Sequence, residues 1–165
     1  MKWFKKSNPL RTDGNSTSSS PKVLFVSDTL SAQSVFLFSQ AVSKEEIVFK
    51  LIGSLSVSDH AMALNAVLER EKMGGTVLES NVAVPHARLK GLTGIRAAIG
   101  ICQEPPDSVR IYVLFLSPSE DTRAHLLFLA SVASLFQVEG LVDVLSKLTD
   151  VKDVIRTIQE VERSS

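Results

Sequence analysis

A chain of 165 residues, 44% hydrophobic and 22% charged, has the size and composition of one globular domain with its own core and leaves no room for a second full domain. Eighteen basic residues balance 18 acidic ones, which excludes the overall electrostatic footprint of a nucleic-acid binder. The single cysteine, Cys102, excludes an internal disulfide, and no Cys/His spacing fits a zinc site, so the expectation is a reducing cytoplasm.

The leading stretch "MKWFKKSNPLRTDGNSTSSSP" has too short an apolar run for a signal peptide, and no stretch of the chain approaches the roughly 18–20 apolar residues of a membrane span. Its Ser, Thr, Asn and Gly content predicts a disordered N-terminal tail over residues 1–21 and a domain over 22–165. Trp3 and Phe4 among lysines make only a weak membrane anchor. "PKVLFV" and "SVFLF", short and rich in Val and Phe, fit strands or strand-like entry segments. "SKEEIVFKLIGSL" predicts a helix over 44–55, with Ser43 and Glu46 in a capping-box pattern and a stripe of Ile47, Val48, Leu51, Ile52 and Leu55. A second helix starts at Ser58-Asp59, buries Ala61, Leu64, Val67 and Leu68, and stops at Gly74-Gly75, which puts Arg70 in its last turn.

"GGTVLESN" reads as a loop, "VAV" as a strand end, and "GIRAAIGIC" as a strand in which Ile95, Ala97, Ile99 and Ile101 alternate with other residues. "EPPDS" is a turn, and "VRIYVLFL" is a near-continuous apolar run, the mark of a central strand covered on both faces. "RAHLLFLASVASLF" predicts a helix apolar almost all round, hence largely buried. "EGLVDVLSKL" and "DVKDVIRTIQEV" predict two more helices, the second capped near Asp150 and buried through Val151, Val154, Ile155 and Ile158. Strands interleaved with helices give a single α/β domain whose sheet is covered on both faces by helices.

Groups able to do chemistry are few. His60, in the first turn of a helix, reads as a solvated surface residue, and Cys102 as a small structural hydrophobe. His86 is distinct: Pro85 removes a backbone donor and fixes φ, so a strand through 82–84 is expected to stop there and leave the imidazole exposed at a sheet rim. Arg88, two residues on, offers a cation for an anion. His125 shares a helical face with Phe128, Leu129, Val132 and Phe136, which taken alone reads as packing.

The order "VSKEEIVFKLIGSL", "LEREKMGGT", "VAVPHAR", "AIGI", a long apolar strand, then "HLLFLASVASLF" resembles the type 2 EIIA domain of the bacterial phosphotransferase system. That is the fructose/mannitol family, with its stand-alone nitrogen-regulatory members. The similarity runs from about residue 22 to the end, and its most specific element is Ala-aliphatic-Pro-His preceded by Arg-Glu. It implies a mixed β-sheet flanked on both faces by helices. It also implies that His86 accepts a phosphoryl group from phospho-HPr, that Arg70 meets the phosphoryl oxygens, and that His125 is the second active-site histidine. No cofactor or metal is implied. The implied partners are an HPr-like phosphocarrier and either a downstream regulatory target or a separate EIIB. The absence of fused HPr-like, EIIB-like or membrane segments favours a regulatory, nitrogen-type role over sugar uptake. A binding module that no longer transfers phosphate is the remaining alternative. One difference bears on it: where members usually read Thr-Gly-Ile-Gly-x-Gly, this chain has Thr76-Val77-Leu78-Glu79-Ser80-Asn81, whose side chains and added charge are expected to crowd an approaching phosphoryl group.

Overall fold

The computed structural model describes residues 24–165, so the tail expected over 1–21 lies outside the described residues. The chain opens with short 3-10 turns at Val26–Thr29 and Ala32–Ser34, then strand β1 (Val35–Phe38) and helices α1 (Lys44–Gly53) and α2 (His60–Lys72). Strands β2 (Val82–Ala83), β3 (His86–Leu89), β4 (Arg96–Cys102) and β5 (Ile111–Pro118) follow, and α3 (Thr122–Phe136), α4 (Leu141–Ser146) and α5 (Val151–Ser164) close the fold.

The sheet runs β1-β4-β5-β2, with β3 also paired to β5; β1 is parallel to β4, β4 antiparallel to β5, and β2 and β3 parallel to β5. It is mixed, as expected. Every residue of β5 is buried, because the strand lies between β4 and the β2–β3 line and is covered on both faces. Its side chains alternate: Ile111, Val113 and Phe115 join α3, α4 and α5, whereas Tyr112, Leu114 and Leu116 join α1 and α2. In β4 the residues Ala97, Ile99 and Ile101 take the first face, as their alternation predicts. Gly100 takes the second, where a Cβ would stand 3.0 Å from the Phe38 ring and 3.4 Å from Ile47; its lack of a side chain lets α1 lie close on the sheet.

Local signals placed the helices well. Ser43 accepts from the Glu46 amide, Asp59 from Met62, Asp121 from Ala124 and Asp150 from Lys152, each supplying an acceptor for an otherwise unpaired first-turn N–H. Three expectations are corrected. The described part of "PKVLFV", residues 24–26, is not a strand: the Glu162 carboxylate takes the Val26 and Ser27 amides at 2.7 and 3.0 Å, and the chain coils into a 3-10 turn. The buried face of α2 centres on Ala63 and Val67, while Ala61 is exposed. Finally, α3 is not buried all round, since Leu126 is 58% and Leu127 44% exposed; the helix is an outer layer and only the side meeting the sheet is covered.

Candidate functional site

Pro85 interrupts the strand but not its register: β2 ends at Ala83 and β3 resumes at His86. Val82 pairs with Ile111, Ala83 with Tyr112, His86 with Phe115 and Leu89 with Pro118, one unbroken register on either side of the proline. The Pro85 carbonyl still accepts from the Phe115 amide at 3.1 Å, so the proline removes its own donor to β5 without shifting the alignment. His86 is therefore carried into the sheet, 6% exposed, with its ring stacked on Phe115 at 5.2 Å and 9°. This corrects the expectation that the imidazole at the sheet rim is exposed. Alternation along β3 places His86 and Arg88 on the α3 side, opposite Ala87 and Leu89, which pack with α1 and α2.

The structure brings His125 to His86. Asp121 caps α3, His125 follows one turn later, and its ring lies 5.3 Å from that of His86 and 5.3 Å from Phe115, buried above the end of β5. Two hydrogen bonds orient the pair: His86 Nδ1 meets the Val84 carbonyl at 2.7 Å, and His125 Nδ1 meets Ser117 Oγ at 2.7 Å. A carbonyl only accepts, so His86 donates from Nδ1 and keeps a lone pair on Nε2. That nitrogen is the nucleophilic one.

Burial, then the charges of His86, Arg88 and Arg70, hold His125 below the ordinary histidine pKa of 6.5. Arg70 thus acts on this site electrostatically from the last turn of α2, and its guanidinium donates to the Gly74 carbonyl at 2.8 Å. Among the described residues no hydrogen bond joins Arg70 to either histidine. Arg88 donates to the Ser119 carbonyl at 2.8 Å and to Thr122 Oγ1 at 2.6 Å, tying β3 to the start of α3. An imidazole whose Nδ1 is already engaged, a second imidazole and two guanidiniums together form a setting for an anionic group that bonds to nitrogen.

Ser117 was missed. The available signal was a serine directly after the central apolar run, in the same alternation as Val113 and Phe115. His60, by contrast, is exposed, bonding to the Leu55 carbonyl, and Cys102 is buried with its thiol pushed up to about 11, both as their sequence contexts indicated. Nor does the loop at 77–81 crowd the histidines. Val77 and Glu79 are exposed, and residues 77–80 share a cavity with Ala133, Phe136 and Gln137, about 12–18 Å along α3 from His125 at its helical rise. Asn81, standing where members usually have glycine, adopts φ +62° in a turn closed by its amide on the Leu78 carbonyl.

The family model described as "Phosphoenolpyruvate-dependent sugar phosphotransferase system, EIIA 2" matches residues 28–161. A mannitol-specific EIICBA component from Pasteurella multocida is 26% identical over 152 residues, 84% of this chain and 23% of that relative, so the chain spans under a quarter of its length. A nitrogen regulatory protein from Klebsiella oxytoca is 30% identical over 96 residues, 53% of this chain and 59% of the relative. Among solved structures, nitrogen regulatory protein IIA-Ntr from Neisseria meningitidis superposes with a TM-score of 0.71 at 25% identity, over 81% of this chain and 98% of the other. The mannitol IIA of Escherichia coli gives 0.62 at 22% identity over 78% and 98%, a likeness of fold alone. It is also known in complex with a phosphorylated enzyme IIB.

Proposed function

The chain belongs to the EIIA 2 family of the phosphoenolpyruvate-dependent sugar phosphotransferase system, and on that premise we propose that it is a cytoplasmic phosphohistidine carrier that accepts a phosphoryl group from an HPr-like protein on His86. The observation that carries this reading is the fixed tautomer of His86. With Nδ1 donating to Val84, Nε2 presents its lone pair without a proton to lose. In the transfer, the Nε2–P bond forms as the bond from phosphorus to the donor atom breaks, and that bond's electron pair leaves with the donor. The resulting imidazolium keeps its Nδ1–H on the Val84 carbonyl, so positive charge develops where an acceptor already waits. Charge spread over the equatorial oxygens needs donors held in place, and Arg70 and His125 fill that role.

Incubation with enzyme I, HPr and labelled phosphoenolpyruvate tests the proposal. Label should appear on the wild type and be absent from His86→Ala. An unlabelled wild type would leave only the contact-regulating module, and label on His86→Ala would remove the site assignment. Arg70→Ala should slow transfer roughly 10²-fold, the scale of one lost transition-state donor; an unchanged rate takes Arg70 out of the site.

The phosphorylated state is read by a regulatory target, in keeping with the nitrogen regulatory relatives. A second reading, transfer onward to a separate EIIB, is favoured by the mannitol-specific relatives. A panel of EIIB domains mixed with the phosphoprotein distinguishes them. Rapid sugar-linked loss of the label would establish the transport role over the regulatory one.

A further inference from the structure

We infer that Ser117 is a positioning residue that holds His125 with its proton on Nε2, so that the second histidine faces the phosphoryl group as a hydrogen-bond donor. The inference rests on the carrier reading for its consequence, but its basis is the chain's own geometry. Ser117 lies on β5 with no exposed surface, and its hydroxyl is 2.7 Å from His125 Nδ1. Both atoms can donate or accept, so distance alone leaves two arrangements.

Counting partners separates them. Nδ1 of His125 is the one hydrogen-bond partner of the Ser117 side chain among the described residues. If Nδ1–H donated to Oγ, the hydroxyl hydrogen would be buried with no acceptor, and an unpaired buried donor is disfavoured. If the hydroxyl donates to Nδ1, both groups are satisfied. Nδ1 is then the acceptor and Nε2 carries the hydrogen.

The two histidines are thereby set in opposite senses by two different partners. The Val84 carbonyl, which can only accept, leaves His86 Nε2 bare; the Ser117 hydroxyl, which has nowhere else to donate, leaves His125 Nε2 protonated. One ring can attack and the other can donate to the oxygens of the transferred group. No proton need move in the transfer. The pair would fail if both rings took the same tautomer: two bare nitrogens repel the anion, and two protonated ones leave no nucleophile.

Nitrogen-15 spectra of histidine-labelled, unphosphorylated protein read the tautomers directly. The wild type should show His125 protonated on Nε2 with a hydrogen-bonded, unprotonated Nδ1. In Ser117→Ala the Nδ1 signal should move toward that of an unbonded nitrogen, and Ser117→Thr, which keeps a hydroxyl, should restore it. With phospho-HPr as donor, Ser117→Ala should slow labelling of His86 about tenfold, on the scale of one neutral hydrogen bond, and Ser117→Thr should recover much of the rate. A wild-type His125 protonated on Nδ1, or an Ala variant with unchanged spectrum and rate, overturns the inference. Wild-type protein that takes no label defeats the carrier reading and the transfer role of Ser117 with it, while the spectrum still decides the tautomer by itself.

Discussion

His125 concentrates what a single residue can show here. Its face on α3 is the packing face, with Phe128, Val132 and Phe136, so the sequence pattern that marked it as a core group is correct; yet the same burial sets it against His86. Because burial and the neighbouring His86, Arg88 and Arg70 charges lower its pKa below 6.5, the folded protein resists a proton that the unfolded chain accepts. Stability therefore falls as pH drops through about 6.5, the direction required when the unfolded state binds more protons. His125→Gln should lose less stability than the wild type between about pH 7 and pH 5.5, measured by urea unfolding at each pH. Equal losses would show that His125 does not carry this acid sensitivity. The partners of this residue were the illegible part. Ser117, Arg88 and His86 are brought to it by sheet register, and register is a property of pairs of strands that no single stretch of sequence displays.

At the scale of elements, the strong local signals were the reliable ones. A side-chain oxygen at the right offset from an apolar stripe located the starts of α1, α2 and α5. The weaker ones gave way to tertiary partners, as where Glu162 draws Val26 and Ser27 out of an extended conformation. Pro85 was misjudged because its usual effect is to end a strand, and here the pairing of β2 and β3 with β5 carries one register across the lost donor. The turn between Leu78 and Val82 makes the clearest prediction. Asn81 holds φ +62°, a region that asparagine tolerates and β-branched residues do not. Asn81→Gly, which restores the usual family residue, should leave the unfolding midpoint nearly unchanged, whereas Asn81→Val should destabilise by about 1–2 kcal/mol. If valine proves as stable as glycine in thermal melts, the turn does not require the left-handed conformation. Both variants should still be labelled on His86, since the loop sits at the other end of α3.

The whole molecule is two helical layers sharing one sheet, and the proposed site lies along its β3 edge. His86 and Arg88 come from β3, His125 from the layer on one face, and the Arg70 charge from α2 on the other. Such a site depends on how the layers are held, and one carboxylate joins the beginning of the described chain to its end. Glu162 on α5 accepts the amides of Val26 and Ser27, and both of those residues are buried. No nearby sequence signal could reveal a bond across 136 positions. A charged acceptor serving two amides is worth about 1–3 kcal/mol, most of it the penalty of leaving buried donors unpaired. Glu162→Ala should therefore lower stability by that amount, and Glu162→Gln by less, because one amide oxygen can still serve one donor. Native-state hydrogen exchange distinguishes a local clamp from a general weakening. Exchange of the Val26 and Ser27 amides should accelerate well beyond that of the β5 amides in Glu162→Ala, because opening the turn does not require parting the sheet. Uniform acceleration throughout the protein would mean instead that the turn and the sheet open together.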